Sequence, residues 1–249
     1  MKLLSYNIRF GGAGREEQIA AVIRGCDPDL VVLQEATRPE VVERVAGLAG
    51  FKAWGAQRGH SLAFMGRAEV TRHDWHWPRG AKRSFLELYV GDGALRVYGL
   101  HLSAVHSYWT ERRRVREMRA LLNYVAQHGV GTGFHVLAGD FNTLAPGEPL
   151  NMRRLPTRYH PLVWLSAGRI RWEVIQLTLD AGYTDAFRRL HPDDKGFTFP
   201  VWDPHVRLDY FFLPEPFADK LTDCRIFKEH DAAREASDHF PLLADIKTD

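Results

Sequence analysis

Val136-Leu137-Ala138-Gly139-Asp140-Phe141-Asn142-Thr143 is the stretch on which the fold turns. Three apolar residues read as a short buried strand. Gly139-Asp140 then closes it with a carboxylate, and the amide of Asn142, two residues on, points the same way. The arrangement recurs outward in both directions. Residues 3–8 form an apolar and aromatic strand that carries Asn7 at its end and is broken by Gly11, Gly12 and Gly14. Leu30-Val31-Val32-Leu33 runs directly into Gln34-Glu35. Strands near 61–65, 84–90 and 95–100 follow, the last two joined by Gly91-Asp92-Gly93 as a hairpin, and His101 closes the third. Further strands are expected over 207–213, ending in Asp209, over 223–227 and over 241–246, the last preceded by Ser237-Asp238-His239. Helical spacing appears at 16–24, 39–49, 110–127 and 172–181. Side chains at strand ends converge over one edge of a sheet, so residues far apart in sequence can share one site. A single strand-end Asp or Asn is usually only a turn former; six such positions in register are not explained that way.

Composition narrows the class. The 249 residues are 45% apolar and 26% charged, which excludes a disordered or collagen-like chain and suits one domain over residues 1–249. A net charge of +2 is too mild for a protein that coats nucleic acid, so any attraction for phosphate must be local. Two distant cysteines, Cys26 and Cys224, fit reduced thiols and a cytoplasmic location, and offer no Cys-rich zinc site. The opening residues lack a signal-like apolar run, and no stretch approaches the roughly 18 apolar residues of a membrane span. A soluble monomer without membrane contact is the expectation.

Six blocks carry a family resemblance. Ser5-Tyr6-Asn7-Ile8-Arg9, Leu33-Gln34-Glu35, Gly99-Leu100-His101-Leu102, Gly139-Asp140-Phe141-Asn142-Thr143, Arg207-Leu208-Asp209-Tyr210 and Ser237-Asp238-His239-Phe240-Pro241-Leu242 resemble, in order and rough spacing, the motifs of the endonuclease/exonuclease/phosphatase superfamily. The resemblance spans residues 5 to 242. It implies an α/β fold of the DNase I-like kind: a four-layer α/β/β/α sandwich of two packed mixed sheets, helices outside, with a divalent metal at the sheet edge.

The chemistry explains the residue types. Hydrolysing a phosphate ester needs charge neutralised on the phosphoryl oxygens, a water held in line, and help for the leaving oxygen. By resemblance Glu35 is the principal ligand of Mg²⁺ or Mn²⁺, with Asn7 and Asp238 completing its shell, an all-oxygen set suited to a hard cation. Asp140 would orient and deprotonate the water, and Asn142 would hold water or a phosphate oxygen. His239 would stabilise the phosphoryl charge, with Asp209 fixing its tautomer. His101 resembles the histidine of the DNase I, sphingomyelinase, inositol phosphatase and tyrosyl-phosphodiesterase branches, whereas abasic-site endonucleases have an Asn-containing motif there. The expected function is a metal-dependent phosphodiesterase or nuclease acting on DNA; the alternative substrate is a small or lipid-like phosphate such as an inositol phosphate or a phosphocholine head group.

Weaker signals accompany these. Arg112, Arg113, Arg114 and Arg116 read first as a solvated helix face and second as a phosphate-binding stripe. Arg114-x-x-Glu117 departs from the Arg-x-x-Gln of relatives. Ser103, His106, Tyr108 and Trp109 follow His101 and could line a cleft, as could His60. Residues 151–172, with Arg153, Arg154, Arg158, Arg169, Arg171, Tyr159, Trp164 and Trp172, could form a basic, stacking rim. Trp202 suits either a pocket wall or the core.

Overall fold

In the computed structural model, which describes residues 1–79, 81–104, 108–128, 133–148, 154 and 172–248, two six-stranded mixed sheets lie face to face. The first contains β1 (Lys2–Asn7), β2 (Leu30–Gln34), β3 (Ala53–Ala56), β4 (Leu62–Gly66), β11 (Leu221–Ile226) and β12 (Leu242–Ile246), in the order β11-β12-β1-β2-β4-β3. The second contains β5 (Val70–His76), β6 (Phe85–Val90), β7 (Leu95–His101), β8 (His135–Asp140), β9 (Tyr183–Asp185) and β10 (Asp209–Pro214), in the order β5-β6-β7-β8-β10-β9.

Alternation along the central strands builds the layers. Leu3, Leu30, Val32, Leu62 and Phe64 of the first sheet face inward, against Leu86, Leu88, Val97, Val136, Ala138 and Phe211 of the second. Their sequence neighbours Leu4, Tyr6, Val31, Leu33, Ala63 and Met65 face outward under α1 (Glu16–Cys26) and α2 (Pro39–Ala49). On the far side, Tyr98, Leu100, Leu137, Tyr210 and Phe212 pack under Met118, Leu121 and Val125 of α3 (Tyr108–Gln127) and Val174 and Ile175 of α4 (Glu173–Asp180). A strand buried on both faces reads as a continuous apolar run, which is why these strands were legible. The sheets approach closely: a methyl at Gly99 would lie 2.8 Å from Val32 Cγ1.

The expected helix at 39–49 has those bounds, begun by Pro39 in its first turn and ended by Gly50 in the left-handed region. Asp209 opens its strand instead of ending one, because β10 runs antiparallel to β8 and pairs Asp209 with Asp140. Three strands escaped the sequence reading. β3 and β5 lie at sheet edges, where β5 carries exposed polar residues, and β9 has only three residues. The short helices α5 (Ala186–Leu190) and α6 (Ala233–Ala236) were missed too. Cys26 and Cys224 are free and buried. Among the described residues no helix is long and apolar enough to cross a membrane. Arg153, Arg158, Tyr159, Trp164, Arg169 and Arg171 of the expected rim lie outside the described residues.

Candidate active site

Topology alone brings the strand-end residues together. β1 and β2 are parallel, so Asn7 and the residue after Gln34 leave the first sheet at one edge. β7 and β8 are parallel with His101 opposite Asp140, and antiparallel β10 begins at that level with Asp209. β12 begins opposite Ser5, so the preceding Asp238 and His239 arrive at the same edge. All eight residues singled out from the sequence therefore stand along one rim, four on each sheet.

The contacts are specific. Asn7 Nδ2 donates to Asp140 Oδ2 at 3.0 Å, joining the two sheets, and lies 3.4 Å from Glu35 Oε1. The other Asp140 oxygen accepts the Asn142 backbone N–H at 2.8 Å. Asn142 Nδ2 donates to the Leu102 carbonyl at 3.1 Å. His239 Nδ1 is 2.9 Å from Asp209 Oδ2, a second link between sheets. His101 Nδ1 is 3.1 Å from Ser61 Oγ. Both imidazoles thus anchor Nδ1 and aim Nε2 toward one oxygen: each Nε2 lies 3.9 Å from Asp140 Oδ2, too far for a hydrogen bond. Ser237 Oγ donates to the Asn7 carbonyl at 2.6 Å and places the Asp238-His239 loop.

The backbone is bent to serve this edge. Glu35 and Asn142 sit in the left-handed region at φ 56° and 53°, which few non-glycine residues occupy without strain. Gly139 admits no substitute: a Cβ there would lie 2.0 Å from the Leu100 carbonyl oxygen.

The two histidines are tuned apart. Burial, then the charges of Arg83 and His239, push His101 down to about 3, so it is neutral. Burial also opposes charge on His239, but the Asp209 carboxylate and its hydrogen bond outweigh it and raise the pKa to about 10. Asp140 is raised, first by burial and then by neighbouring Asp209, while the His239 charge pulls it back.

A cation fits this donor set by its chemistry. The clusters whose ligand-capable atoms lie within 4.8 Å of one another do not include the expected Glu35, Asn7 and Asp238: at this rim the cluster is Asp140, Asp209 and His239, and Asp209 Oδ1 is buried without a partner among the described residues. Asn7 offers its amide nitrogen to the carboxylates while its oxygen accepts the Arg9 N–H at 2.9 Å; a half-turn of the amide would exchange them. Asp238 is paired with Arg9 at 3.4 Å, and Glu35 accepts the Phe10 N–H. Oxygen donors of this kind suit Mg²⁺ or Mn²⁺ and disfavour soft metals.

A family model described as the Endonuclease/Exonuclease/phosphatase family matches residues 4–239. The chain belongs to that family. Membership supports a phosphoester hydrolase, and the sandwich is the DNase I-like fold. Similar solved structures include a 3' phosphatase, NExo, from Neisseria bound to product DNA hairpin (21% identity, 99% of each chain, TM-score 0.76). A 3'-5' exonuclease from Neisseria meningitidis is 22% identical over 99% of this chain and 100% of that one, with a TM-score of 0.75. An AP endonuclease from Archaeoglobus fulgidus is 17% identical over 99% of each chain, with a TM-score of 0.76. At these identities the likeness establishes the fold. Among curated protein sequences none matches the chain.

Other expectations sort plainly against the family's rim. Arg114 is buried, ion-paired with Glu111 at 2.7 Å and bonded to the Ser103 carbonyl at 2.7 Å, while Glu117 takes the Ser103 N–H and hydroxyl. That helix face therefore braces the loop after His101, whereas Arg112 and Arg116 are exposed. His60 sits beside Ser61 and holds Ser84 Oγ at 3.0 Å. Trp109 and Trp202 are exposed, which takes Trp202 out of the core. Arg154 pairs with Asp203 at 3.2 Å. His106 and the Tyr108 side chain lie outside what is described. Sequence reading missed Ser61, which follows His60 directly, and Arg83, which precedes a strand and carries no motif. It also missed the trio Asp74, His76 and Glu87, whose members meet only through β5–β6 pairing.

Proposed function

We propose that the protein is a Mg²⁺- or Mn²⁺-dependent phosphodiesterase that cleaves DNA by in-line attack of water. The observation that carries this reading is the pair of imidazole Nε2 atoms, each 3.9 Å from one Asp140 oxygen, which sets two donors and one acceptor side by side at the rim. That is what a phosphoryl group needs when approached by water. Asp140 accepts the proton of the attacking water; its burial keeps it basic enough to do so. His239, held charged by Asp209, and neutral His101, held by Ser61, donate from Nε2 to phosphoryl oxygens. Asn142, fixed by Leu102, keeps a second amide N–H and its oxygen for the water or the phosphate. Glu35, Asp238 and Asn7 would hold the cation, which when bound neutralises phosphoryl charge and eases ionisation of water. The choice of DNA is supported by the relatives of like fold: a 3' phosphatase with product DNA, an exonuclease and an AP endonuclease.

The test is hydrolysis of single- and double-stranded DNA, abasic DNA, RNA, an inositol polyphosphate, a phosphocholine lipid and bis(p-nitrophenyl) phosphate, each with Mg²⁺, Mn²⁺ or EDTA. Asp140→Ala serves as the blank. Metal-dependent DNA cutting absent from the blank is expected. Consumption of a small ester with DNA untouched would move the reading to a small-phosphate hydrolase.

A further inference from the structure

The connection from β5 to β6 brings a second group of side chains to the same rim. Leu86 pairs with Gly99, so the register carried two residues back sets Ser84 beside His101, in line with Asp140 and Asp209 on the next two strands. Ser84 holds His60 at 3.0 Å, and the following Ser61 holds His101 at 3.1 Å. Arg83 stands one residue further out, at the open end of this row. Its Nε is buried and has no hydrogen-bond partner, and its guanidinium forms no ion pair among the described residues. Its charge nevertheless reaches His101. Beside it, Trp77 is 56% exposed, is tethered through its indole N–H to the Ala81 carbonyl at 3.0 Å, and meets the His60 ring edge-on at 5.3 Å.

A half-buried guanidinium whose Nε is withdrawn from water without a partner among the described residues gains from an anion, and its planar fork matches a phosphate. Neighbouring strands lie about 4.8 Å apart, so the β6 end is about 10 Å across the sheet from the Asp140 column. That offset of the chain suits the next phosphate along an extended strand. An exposed indole held in one orientation is a platform for a base.

We propose that Arg83, Trp77 and His60 form a nucleotide subsite, in which Arg83 grips the phosphate adjoining the scissile one and Trp77 stacks the base beside it. The proposal rests on the nucleic-acid reading above and specifies how the strand lies: from the Glu35 side of the rim, past His101, toward β6.

The experiment compares Arg83→Met, Arg83→Lys and Trp77→Ala on a single-stranded DNA oligonucleotide and on bis(p-nitrophenyl) phosphate, which has one phosphate and no base. For Arg83→Met the ratio of kcat/KM on DNA to that on the small ester should fall about tenfold or more, mainly through KM, as expected for a lost charged hydrogen bond. Trp77→Ala should lower the same ratio. Arg83→Lys should recover part of it, since the charge remains but the fork does not. The salt dependence of DNA binding should weaken in Arg83→Met by about one phosphate contact. An unchanged ratio overturns the subsite, and so does an equal loss on both substrates, which would put Arg83 at the attacked phosphoryl group or in the fold. If Arg83→Met does not fold, Arg83→Lys decides by the same ratio. Wild-type protein that turns over the small ester and leaves DNA intact refutes the nucleic-acid reading itself; wild-type cutting with an unchanged ratio in the variants refutes only the subsite.

Discussion

Asp209→Asn removes a charge while preserving the shape of the site. Asp209 Oδ2 sits 2.9 Å from His239 Nδ1, both residues are buried, and Asp209 is the main support for charge on that imidazole. An asparagine can still accept from Nδ1 but cannot balance an imidazolium, and its amide N–H can also favour the other tautomer. Either way the donor that faces the phosphoryl group is weakened or lost, which costs about 10²–10³ in kcat for a group of this kind. KM should change far less, because the interaction matters most as charge builds on the phosphoryl oxygens. The fold should persist with a lower urea midpoint, because His239 loses the partner that holds its charge and becomes neutral, while loss of the desolvated Asp209 charge offsets part of that cost. The assay is steady-state hydrolysis of bis(p-nitrophenyl) phosphate, with a urea denaturation midpoint as the structural control. A kcat equal to wild type would refute the role given to the Asp209–His239 pair. A loss of kcat matched by a collapse of the midpoint would refute it too, by making the pair structural.

Glu35→Gln should raise the Mg²⁺ concentration for half-maximal activity by about tenfold or more; an unchanged Mg²⁺ titration removes Glu35 from the cation's ligands. Gly139→Ala should destabilise by more than about 4 kcal/mol, since its Cβ would strike the Leu100 carbonyl oxygen at 2.0 Å; a wild-type urea midpoint would show that β7 and β8 can part at that point. Glu87 is fully buried, and although burial alone would raise its pKa, hydrogen bonds from His76, Tyr98 and Tyr124 hold it down to about 2 against an ordinary 4.5. The folded-state value is depressed, so its contribution of about 3 kcal/mol is complete above pH 4.5 and is lost as pH falls toward 2. Glu87→Gln should therefore flatten that acid limb, measured as urea midpoint against pH; parallel limbs in variant and wild type would contradict it.

The sequence exposed the rim because its chemistry is written in short blocks, each placed where an apolar run stops. Asn7, Glu35, His101, Asp140, Asn142, Asp209, Asp238 and His239 could be named, since a polar residue at the end of a strand buried on both faces stands out. Arg83 could not: the hairpin of β6 and β7 was readable, but Arg83 lies just before the strand and its place beside His101 depends on the exact register, Leu86 opposite Gly99, which Lys82-Arg83-Ser84 does not announce. The inward turn of Arg114 and Glu117 was hidden for a related reason. Helical spacing locates a charged face, but the carbonyl and hydroxyl of Ser103 that draw it inside come from another element. β5 was invisible because an edge strand exposes polar side chains and breaks the apolar pattern.

The rim is divided between two sheets whose main contact is an apolar seam, crossed at the site by Asn7–Asp140 and Asp209–His239. The seam therefore behaves as the gauge block of a measuring instrument: its thickness sets the span between the cation-side residues and the histidine-side residues. At Gly99 and Val32 there is no room for one extra methyl, so the thickness has little slack. Exchanging Val32, Ala138 or Leu86 for a larger or smaller side chain would shift one half of the site against the other, although none of them touches it. Turnover should respond to such changes before melting temperature does, and on heating the enzyme should lose activity while both sheets are still folded.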